Sequence, residues 1–323
     1  MPDRQILTQI SPRAWEHPAD RAALNTLRSL PGFDEVLRKA LSVLGEKGIR
    51  QIFLANAVKV GPTQRPALDA MYGEVLQTLD APMRYELYVS QNPEVNAYCI
   101  GFDKPFIVVN SSMIELLEPE ERRAILAHEV GHAMSGHAVY TTLALLFLLV
   151  GTRFLPWLAG IALLPIELAL FEWYRKAEFS ADRAALLGSQ DPRATMSVYL
   201  KLAGGHRYDD QTDLDAFLVQ ASEYEDQGDI ADHVWKILNT AFRTHPFATV
   251  RAAELQRWIM AGEYDRILRG EYQRRTEEPR PLADDFAEAG DYYRRQAKDA
   301  METVTDVLAR ARDAFNERRA RRE

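Results

Sequence analysis

Apolar residues recur at intervals of three and four along the first part of the chain, which is the period of an amphipathic helix. This pattern predicts helices over residues 18–44, with a break at Pro31-Gly32, and over residues 66–79. Residues 49–60 suit either a strand or a short helix. Short β-branched or apolar runs predict three strands, at residues 85–90, 97–100 and 106–110.

The remainder of the chain has a helical pattern with one unusually apolar stretch. A helix is expected to begin at Pro119, because proline suits the first turn and the two glutamates after it suit the positive end of the helix dipole. Apolar runs follow at residues 139–151 and 154–171, and a further helix is predicted over residues 172–187. Residues 192–268 are mostly helical, which makes the expected fold mainly α with a small β-sheet, the α+β class.

These patterns divide the chain into three parts. Residues 1–80 are predicted to form a helical region packed on the core, and residues 81–273 to form the core itself, with an apolar hairpin at 139–171. Residues 274–323 are predicted to form a linker and a charged C-terminal helix with one apolar stripe.

Composition excludes several functional classes. The chain has 39 Lys and Arg against 47 Asp and Glu, a net charge of −8, so nucleic-acid binding is not expected, because phosphate contacts need a basic surface. Its single cysteine, Cys99, excludes a disulfide framework and a cysteine-rich zinc site. The first residues lack the apolar core of a signal peptide, which predicts a cytoplasmic location.

An H-E-x-x-H sequence (HEVGH, residues 128–132) lies within the helix that begins at Pro119. Residues four apart share a helical face, so the imidazoles of His128 and His132 can bind one metal ion. Glu129 is then placed to hold a water on that metal and accept its proton as a general base. The motif predicts one Zn²⁺ per chain, the alternative being two surface histidines on an amphipathic helix.

A catalytic zinc takes three protein ligands and keeps one position open, so a third ligand is required. His137 lies five residues after His132 and would point away from it on a continuous helix, so we reject it as the ligand. Three downstream acids are candidates: Glu167, Glu172 and Glu178.

Only Glu178 is followed by an acid four residues later, Asp182, which places both carboxylates on one helical face. Glu178 can bind zinc while Asp182 accepts a hydrogen bond from the far nitrogen of a ligand histidine and fixes its ring. The alternative is a helix face of salt bridges with neighbouring basic residues: Arg175, Lys176 and Arg183.

The H-E-x-x-H motif, the long apolar insertion and the E-x-x-x-D pair together resemble the HtpX-type and CAAX-prenyl-protease-type zinc endopeptidases. Three more segments are similar to motifs of that family: Asn96-Ala97-Tyr98, Leu117-Glu118-Pro119-Glu120-Glu121 and Thr244-His245-Pro246. The resemblance covers about residues 85–260. It implies a zincin-like core of the gluzincin type, with the apolar hairpin inserted between the two metal-binding helices.

The resemblance also implies roles for residues outside the metal motif. Asn96, Ala97 and Tyr98 would lie at an exposed strand edge that binds an extended peptide, and Arg251 would also belong to the substrate site. His245 would donate to the developing oxyanion, with a fourth metal ligand or a buried histidine beside a proline as alternatives.

These residues predict a zinc-dependent endopeptidase that cleaves misfolded or membrane-associated polypeptides. Residues 139–171 are expected to associate with a membrane, with the metal helices facing the cytoplasm. A soluble cytoplasmic protein that buries this run internally or in a homo-oligomer is the alternative. A different class, a latent or non-catalytic zinc-binding protein acting at a membrane surface, predicts a damaged site, whereas Glu129 is present.

Overall fold

Helices dominate the part of the chain that the computed structural model describes, which is residues 4–150, 163–205, 211–226 and 246–277. A short 3-10 turn, Pro12–Ala14, comes first. The helices in chain order are α1 (Pro18–Ser29), α2 (Phe33–Leu54), α3 (Pro66–Thr78), α4 (Ser111–Leu116), α5 (Pro119–Met134), α6 (Ala138–Val150), α7 (Leu163–Ser189), α8 (Pro192–Ala203), α9 (Leu214–Asp226), α10 (Ala248–Met260) and α11 (Glu263–Leu268). The strands are β1 (Ala57–Lys59), β2 (Glu86–Ser90), β3 (Ala97–Ile100) and β4 (Phe106–Asn110).

The four strands form one mixed sheet in the order β1-β2-β4-β3. β2 and β4 are parallel, with Glu86 opposite Phe106, while β1 and β3 are antiparallel to their neighbours. Every residue of β4 is buried, as its apolar and β-branched sequence requires for a central strand. In this strand order β3 lies at one edge of the sheet, where it packs against α5 and α6.

Helices α5 and α7 pack against each other more extensively than any other pair of described elements. Small residues make this close approach possible: a methyl group added to Gly131 of α5 would overlap the Cβ of Ala184 on α7. Likewise, a methyl group on Gly188 would overlap the Cβ of Ala127. The two helices thus fit together along two contacts that exclude even one extra carbon atom.

The N-terminal region covers the apolar segments α6 and the first half of α7. Leu143 and Phe147 of α6 and Leu170 of α7 are buried in one cluster with Leu27 and Phe33. Residues 151–162, at the centre of the predicted hairpin, lie outside the described residues. Among the described helices, none is both long enough and apolar enough to cross a membrane.

Most predicted elements are confirmed, including the helix break at Pro31-Gly32 and the mainly helical α+β class. Residues 49–60 contain both the end of α2 and strand β1, and α4 was not predicted. The expected helix start at residue 172 is wrong, because α7 runs unbroken from Leu163. No glycine or proline lies between Ile166 and Leu187, so the apolar run and the amphipathic segment join as one helix. The predicted C-terminal helix lies outside the described residues.

The tight contact between α5 and α7 predicts that Gly188→Ala destabilises the protein. Alanine should favour a helix by up to about 1 kcal/mol over glycine. Here, however, its methyl group meets Ala127 and Leu79, and such overpacking costs about 1–3 kcal/mol. We therefore expect a net loss in the free energy of unfolding, measured by urea denaturation.

Gly48→Ala is the matched control, because Gly48 also lies within a helix but has no described atom within 4 Å of an added Cβ. This variant should be as stable as the wild type or more so. If Gly188→Ala were stabilising to the same extent, the packing account of α5 and α7 would be wrong.

Candidate metal centre

Two histidines of α5 and one glutamate of α7 bring their ligand atoms together. One ligand atom from each of His128, His132 and Glu178 lies within 4.8 Å of the others, and all three residues are buried. The two Nε2 atoms of the histidines are 3.1 Å apart. Glu178 Oε1 lies 3.3 Å from His132 Nε2, and Glu178 Oε2 lies 3.6 Å from His128 Nε2. The structure thus brings together the three residues that the sequence analysis selected as ligands.

The start of α5 is fixed by local sequence. Pro119 occupies the first turn, and the carboxylate of Glu121 accepts a 2.7 Å hydrogen bond from the backbone N–H of Glu118. Glu121 also binds Ser197 and Lys201 of α8, each at 2.7 Å. These contacts hold the N-terminal turn of α5, and hence the axial position of the residues further along it.

Asp182 and Arg251 surround the ligand atoms with buried charges. Asp182 Oδ1 lies 3.1 Å from His128 Nδ1, the imidazole nitrogen opposite the one that faces the cluster. Arg251 of α10 donates to Asp182 through Nε at 2.9 Å, and its Nη1 lies 3.2 Å from Glu178 Oε2. The guanidinium also stacks over the Tyr199 ring, 5.2 Å from its centroid.

The contact of Asp182 with His128 is the one predicted from the E-x-x-x-D spacing. Arg251 is predicted to bind substrate, and the ion pairs described for it are with Glu178 and Asp182. Its role toward substrate stays a prediction.

These buried charges shift the pKa values of the cluster. Burial favours neutral His128, but hydrogen bonds and charge attraction from Asp182 and Glu178 outweigh it and raise the His128 pKa to about 9. Burial lowers the pKa of His132 to about 4, although Glu178 opposes this shift. Burial also disfavours ionised Asp182, yet Arg251 and His128 together hold its pKa below the ordinary value. The site therefore favours an anionic Asp182 facing cationic His128 and Arg251.

Glu129 lies beside the cluster but is not part of it. Its carboxylate is buried, and its Oε2 has no hydrogen-bond partner within the described part of the chain. Burial raises the pKa of Glu129 to about 7, with a further contribution from Glu178 and opposing ones from His128 and Arg251. Such an unpartnered buried oxygen is costly in a folded protein and is typical of a functional group.

The expectation that His137 points away from His132 is wrong, because α5 does not continue to residue 137. The helix ends at Met134, and Gly136 has a φ of 72°, which turns the chain back. His137 Nδ1 consequently lies 2.9 Å from His132 Nδ1. His137 is still outside the group of ligand atoms, as the sequence analysis expected. The glycine two residues after Met134 is the sequence signal that could have revealed this turn.

The other candidates lie apart from the cluster or outside the described residues. Glu172 forms ion pairs with Arg175 and Lys176. The salt bridges considered as the alternative for Glu178 are thus formed by Glu172 instead. Glu167 belongs to no candidate metal group among the described residues. His245 falls within residues 227–245, which the structure does not describe.

Three of the four predicted substrate residues lie at the sheet edge. Asn96 immediately precedes β3, and Ala97 and Tyr98 form its first two positions. The Asn96 amide donates to the Tyr98 hydroxyl at 3.1 Å and to Glu94 at 3.2 Å. Ala97 and Tyr98 thus belong to the edge strand that packs against α5, the helix of the metal motif, and Asn96 adjoins it.

Loss of Arg251 should destabilise the chelator-treated protein strongly. Arg251→Met would leave Glu178 and Asp182 buried beside each other without their main cation, and breaking a buried ion pair costs about 3–5 kcal/mol. Arg257→Met on the same helix is the control, since Arg257 is half-exposed and its pair with Glu254 is worth about 0–1 kcal/mol. Chemical denaturation of both variants in EDTA checks this difference, and equal losses would contradict it.

Comparison with known proteins identifies relatives that are metallopeptidases. The model of peptidase family M48 matches residues 62–259. The chain is 37% identical over 262 residues to the plastoglobule-localized metallopeptidase 48, chloroplastic, of Arabidopsis thaliana, covering 79% of this chain and 75% of that protein. It is 27% identical over 234 residues to the protease HtpX homolog of Ralstonia pickettii (strain 12J), covering 65% of this chain and 79% of that protein.

A third relative aligns with a shorter part of the chain. The chain is 25% identical over 186 residues to the protease HtpX homolog of Tropheryma whipplei (strain Twist), covering 48% of this chain and 62% of that protein. No solved structure matches the chain. The family match spans more than half of the chain and includes the entire ligand-atom cluster. The chain therefore belongs to peptidase family M48 and is an HtpX-type metalloprotease, a hydrolase that acts on polypeptides.

Proposed function

We propose that the protein is a zinc-dependent endopeptidase in which His128, His132 and Glu178 bind the metal and Glu129 is the general base. The observation that carries this proposal is the convergence of the three ligand atoms within 4.8 Å beside a buried, partly unpartnered glutamate. We further propose that residues 81–273 form a zincin-like catalytic core, on which residues 1–80 pack. The burial of Trp15 in the main core cluster supports that packing.

The chemistry of the donor set fits zinc. Two imidazoles and one carboxylate form the ligand set of catalytic His₂Glu zinc sites, in which a further position stays available for water or substrate. Asp182 can accept a hydrogen bond from the protonated Nδ1 of His128, which leaves the Nε2 lone pair of that ring for a metal. When bound, zinc would supply positive charge that polarises the scissile carbonyl and makes water more acidic.

Glu129 is suited to the proton transfers that peptide hydrolysis needs. It lies one residue after His128, and its pKa of about 7 is close to the value at which a carboxylate can both accept and return a proton near neutral pH. In the proposed reaction, Glu129 removes a proton from the attacking water and then delivers it to the leaving amine nitrogen. A structural zinc site would not need a buried glutamate in this position.

Additional donors are proposed from the sequence. His245 is our proposed donor to the oxyanion, on its match to the T-H-P motif, and a role for Arg251 toward substrate is proposed beside its contacts with Asp182 and Glu178. Either residue could place positive charge near the carbonyl oxygen, and this charge would stabilise the transition state.

We propose that the substrate binds as an added strand along β3. This strand has β4 on one side and no described strand on the other, so its backbone can pair with an extended peptide. Recognition through main-chain groups depends little on side chains, which suits misfolded or membrane-associated polypeptides as substrates.

Membrane association through residues 139–171 is also a proposal, supported by the apolar sequence of that run. In that case the metal helices would face the cytoplasm. The burial of Leu143 and Phe147 against the N-terminal helices supports the alternative of a soluble cytoplasmic protein, with or without homo-oligomers.

Glu129→Gln should retain zinc and lose peptidase activity. The substitution keeps the size of the side chain but removes its ability to accept a proton, and general-base catalysis contributes about 10²–10⁴-fold in rate. We expect a kcat/KM for casein or a quenched peptide lowered by at least this factor, with wild-type metal content. Glu271→Gln, at an exposed glutamate on the surface, serves as control and should be fully active. Full activity of Glu129→Gln would refute the assigned role.

Asn96→Ala should weaken substrate binding and leave the metal content unchanged. Asn96 orders the start of β3 through the Tyr98 hydroxyl and Glu94, whereas the ligand atoms belong to α5 and α7. We expect a raised KM with a nearly constant kcat, measured with a quenched peptide alongside zinc analysis. Loss of zinc in this variant would show that the residue acts on the metal centre instead.

A further inference from the structure

The turn that ends α5 places two histidines against each other. The backbone N–H of Gly136 donates to Ala133 O at 3.3 Å, and that of His137 donates to His132 O at 3.0 Å. This is the hydrogen-bond pattern of a Schellman motif, in which the residue after the left-handed glycine returns to a residue in the last turn of the helix. Here those two residues are His137 and His132, so their side chains meet through Nδ1 atoms 2.9 Å apart.

Beyond His137, a buried chain of polar contacts leads to the N-terminal helix. His137 Nε2 lies 3.2 Å from Asp20 Oδ2 on α1. The same carboxylate oxygen accepts a 2.6 Å hydrogen bond from Ser180 Oγ on α7, and Ser180 Oγ accepts one of 2.8 Å from the backbone N–H of His17. All of these side chains are buried. His132 is therefore connected to α1 by two consecutive side-chain contacts.

The direction of these hydrogen bonds follows from the requirements of a metal ligand. His132 Nε2 faces the cluster, so it must be free of a proton when it binds a metal. The neutral ring then carries its proton on Nδ1 and donates it to His137 Nδ1. His137, as acceptor at Nδ1, carries its own proton on Nε2, which faces the Asp20 carboxylate. One consistent set of tautomers thus runs from Asp20 to the ligand atom.

We propose that His137 and Asp20 are positioning residues of the metal centre, which hold the His132 ring and its tautomer in the state that binds zinc. This inference rests on the proposed assignment of His132 as a zinc ligand. Asp20 lies outside residues 62–259, the part that matches the family model, so the N-terminal helix completes a site whose ligands all come from the core.

The surroundings of Asp20 favour this role over simple packing. Its second oxygen, Oδ1, is buried and has no hydrogen-bond partner within the described residues. A buried carboxylate with an unpartnered oxygen is costly, and an apolar residue at this position would pack α1 on α7 without that cost. The Asp20 carboxylate can accept a hydrogen bond from His137, and an apolar residue at this position could not.

The test is the zinc dissociation constant of the full-length protein, measured by competition with a chromophoric chelator at constant pH. His137→Leu should raise this constant by about 10–100-fold, the usual effect of losing a partner that orients a metal-binding histidine. His137→Gln should bind zinc more tightly than His137→Leu, because its amide can accept from His132 and donate to Asp20. Asp20→Ala should weaken zinc binding in the same direction as His137→Leu.

Glu254→Gln is the matched control for the N-terminal region. Glu254 accepts a 3.0 Å hydrogen bond from His17 Nε2 and pairs with Arg183, so loss of its charge weakens other buried contacts of the same segment. These contacts involve the His17 ring, whereas the chain that leads to His132 includes only the backbone N–H of His17. This variant should unfold at a lower temperature and keep the wild-type zinc dissociation constant. Equal weakening of zinc binding in Glu254→Gln and Asp20→Ala would overturn the proposal, since general loosening would then explain both.

Two further results would also overturn the inference. One is a wild-type dissociation constant in both His137→Leu and Asp20→Ala, and the other is an equal loss in His137→Leu and His137→Gln. If Asp20→Ala does not fold, the two His137 variants decide the question by themselves. A wild-type protein that binds no zinc would refute the proposed function as well, so failure of the zinc site is distinguished from failure of this positioning role.

Discussion

The proposed metal centre depends on the close packing of α5 against α7. Neither helix carries a complete ligand set: α5 supplies two imidazoles on one face, and α7 supplies the carboxylate. Their side chains can converge only because the two backbones come very close at Gly131 and Ala184, where no room is left for an additional methyl group. A separation larger by the width of one side chain would move Glu178 out of reach of His128 and His132. Packing of small residues is therefore the condition for the chemistry.

This convergence concentrates charge in a buried place, and the rest of the site compensates for it. Two carboxylates of α7 lie within one helical turn, and each would be strongly disfavoured alone in the interior. Arg251 contacts both, while His128 contacts Asp182 through the nitrogen that faces away from the cluster. Asp182 is thereby kept ionised, and both carboxylates are held in place by Arg251. Glu129 is left out of this pairing, which is consistent with a group reserved for proton transfer.

The sequence predicted those parts of the site that follow from regular helical spacing. His128 and His132 meet because they are four residues apart on α5, and Glu178 with Asp182 because they are four apart on α7. The same rule failed for His137, since it assumed a continuous helix where Gly136 turns the chain. The contacts of Arg251 and Asp20 could not be predicted in this way. They depend on how α10 and α1 pack against α7, and long-range packing leaves no periodic signal in one sequence.

We expect one metal ion to be held jointly by α5 and α7. Anomalous diffraction at the zinc edge, from crystals of the zinc-loaded protein, tests it most directly. We predict a single strong anomalous peak per chain, with His128 Nε2, His132 Nε2 and one Glu178 carboxylate oxygen as its protein ligands at about 2.0–2.2 Å. A peak bound by His137 and Asp20, or no peak between the two helices, would contradict the account.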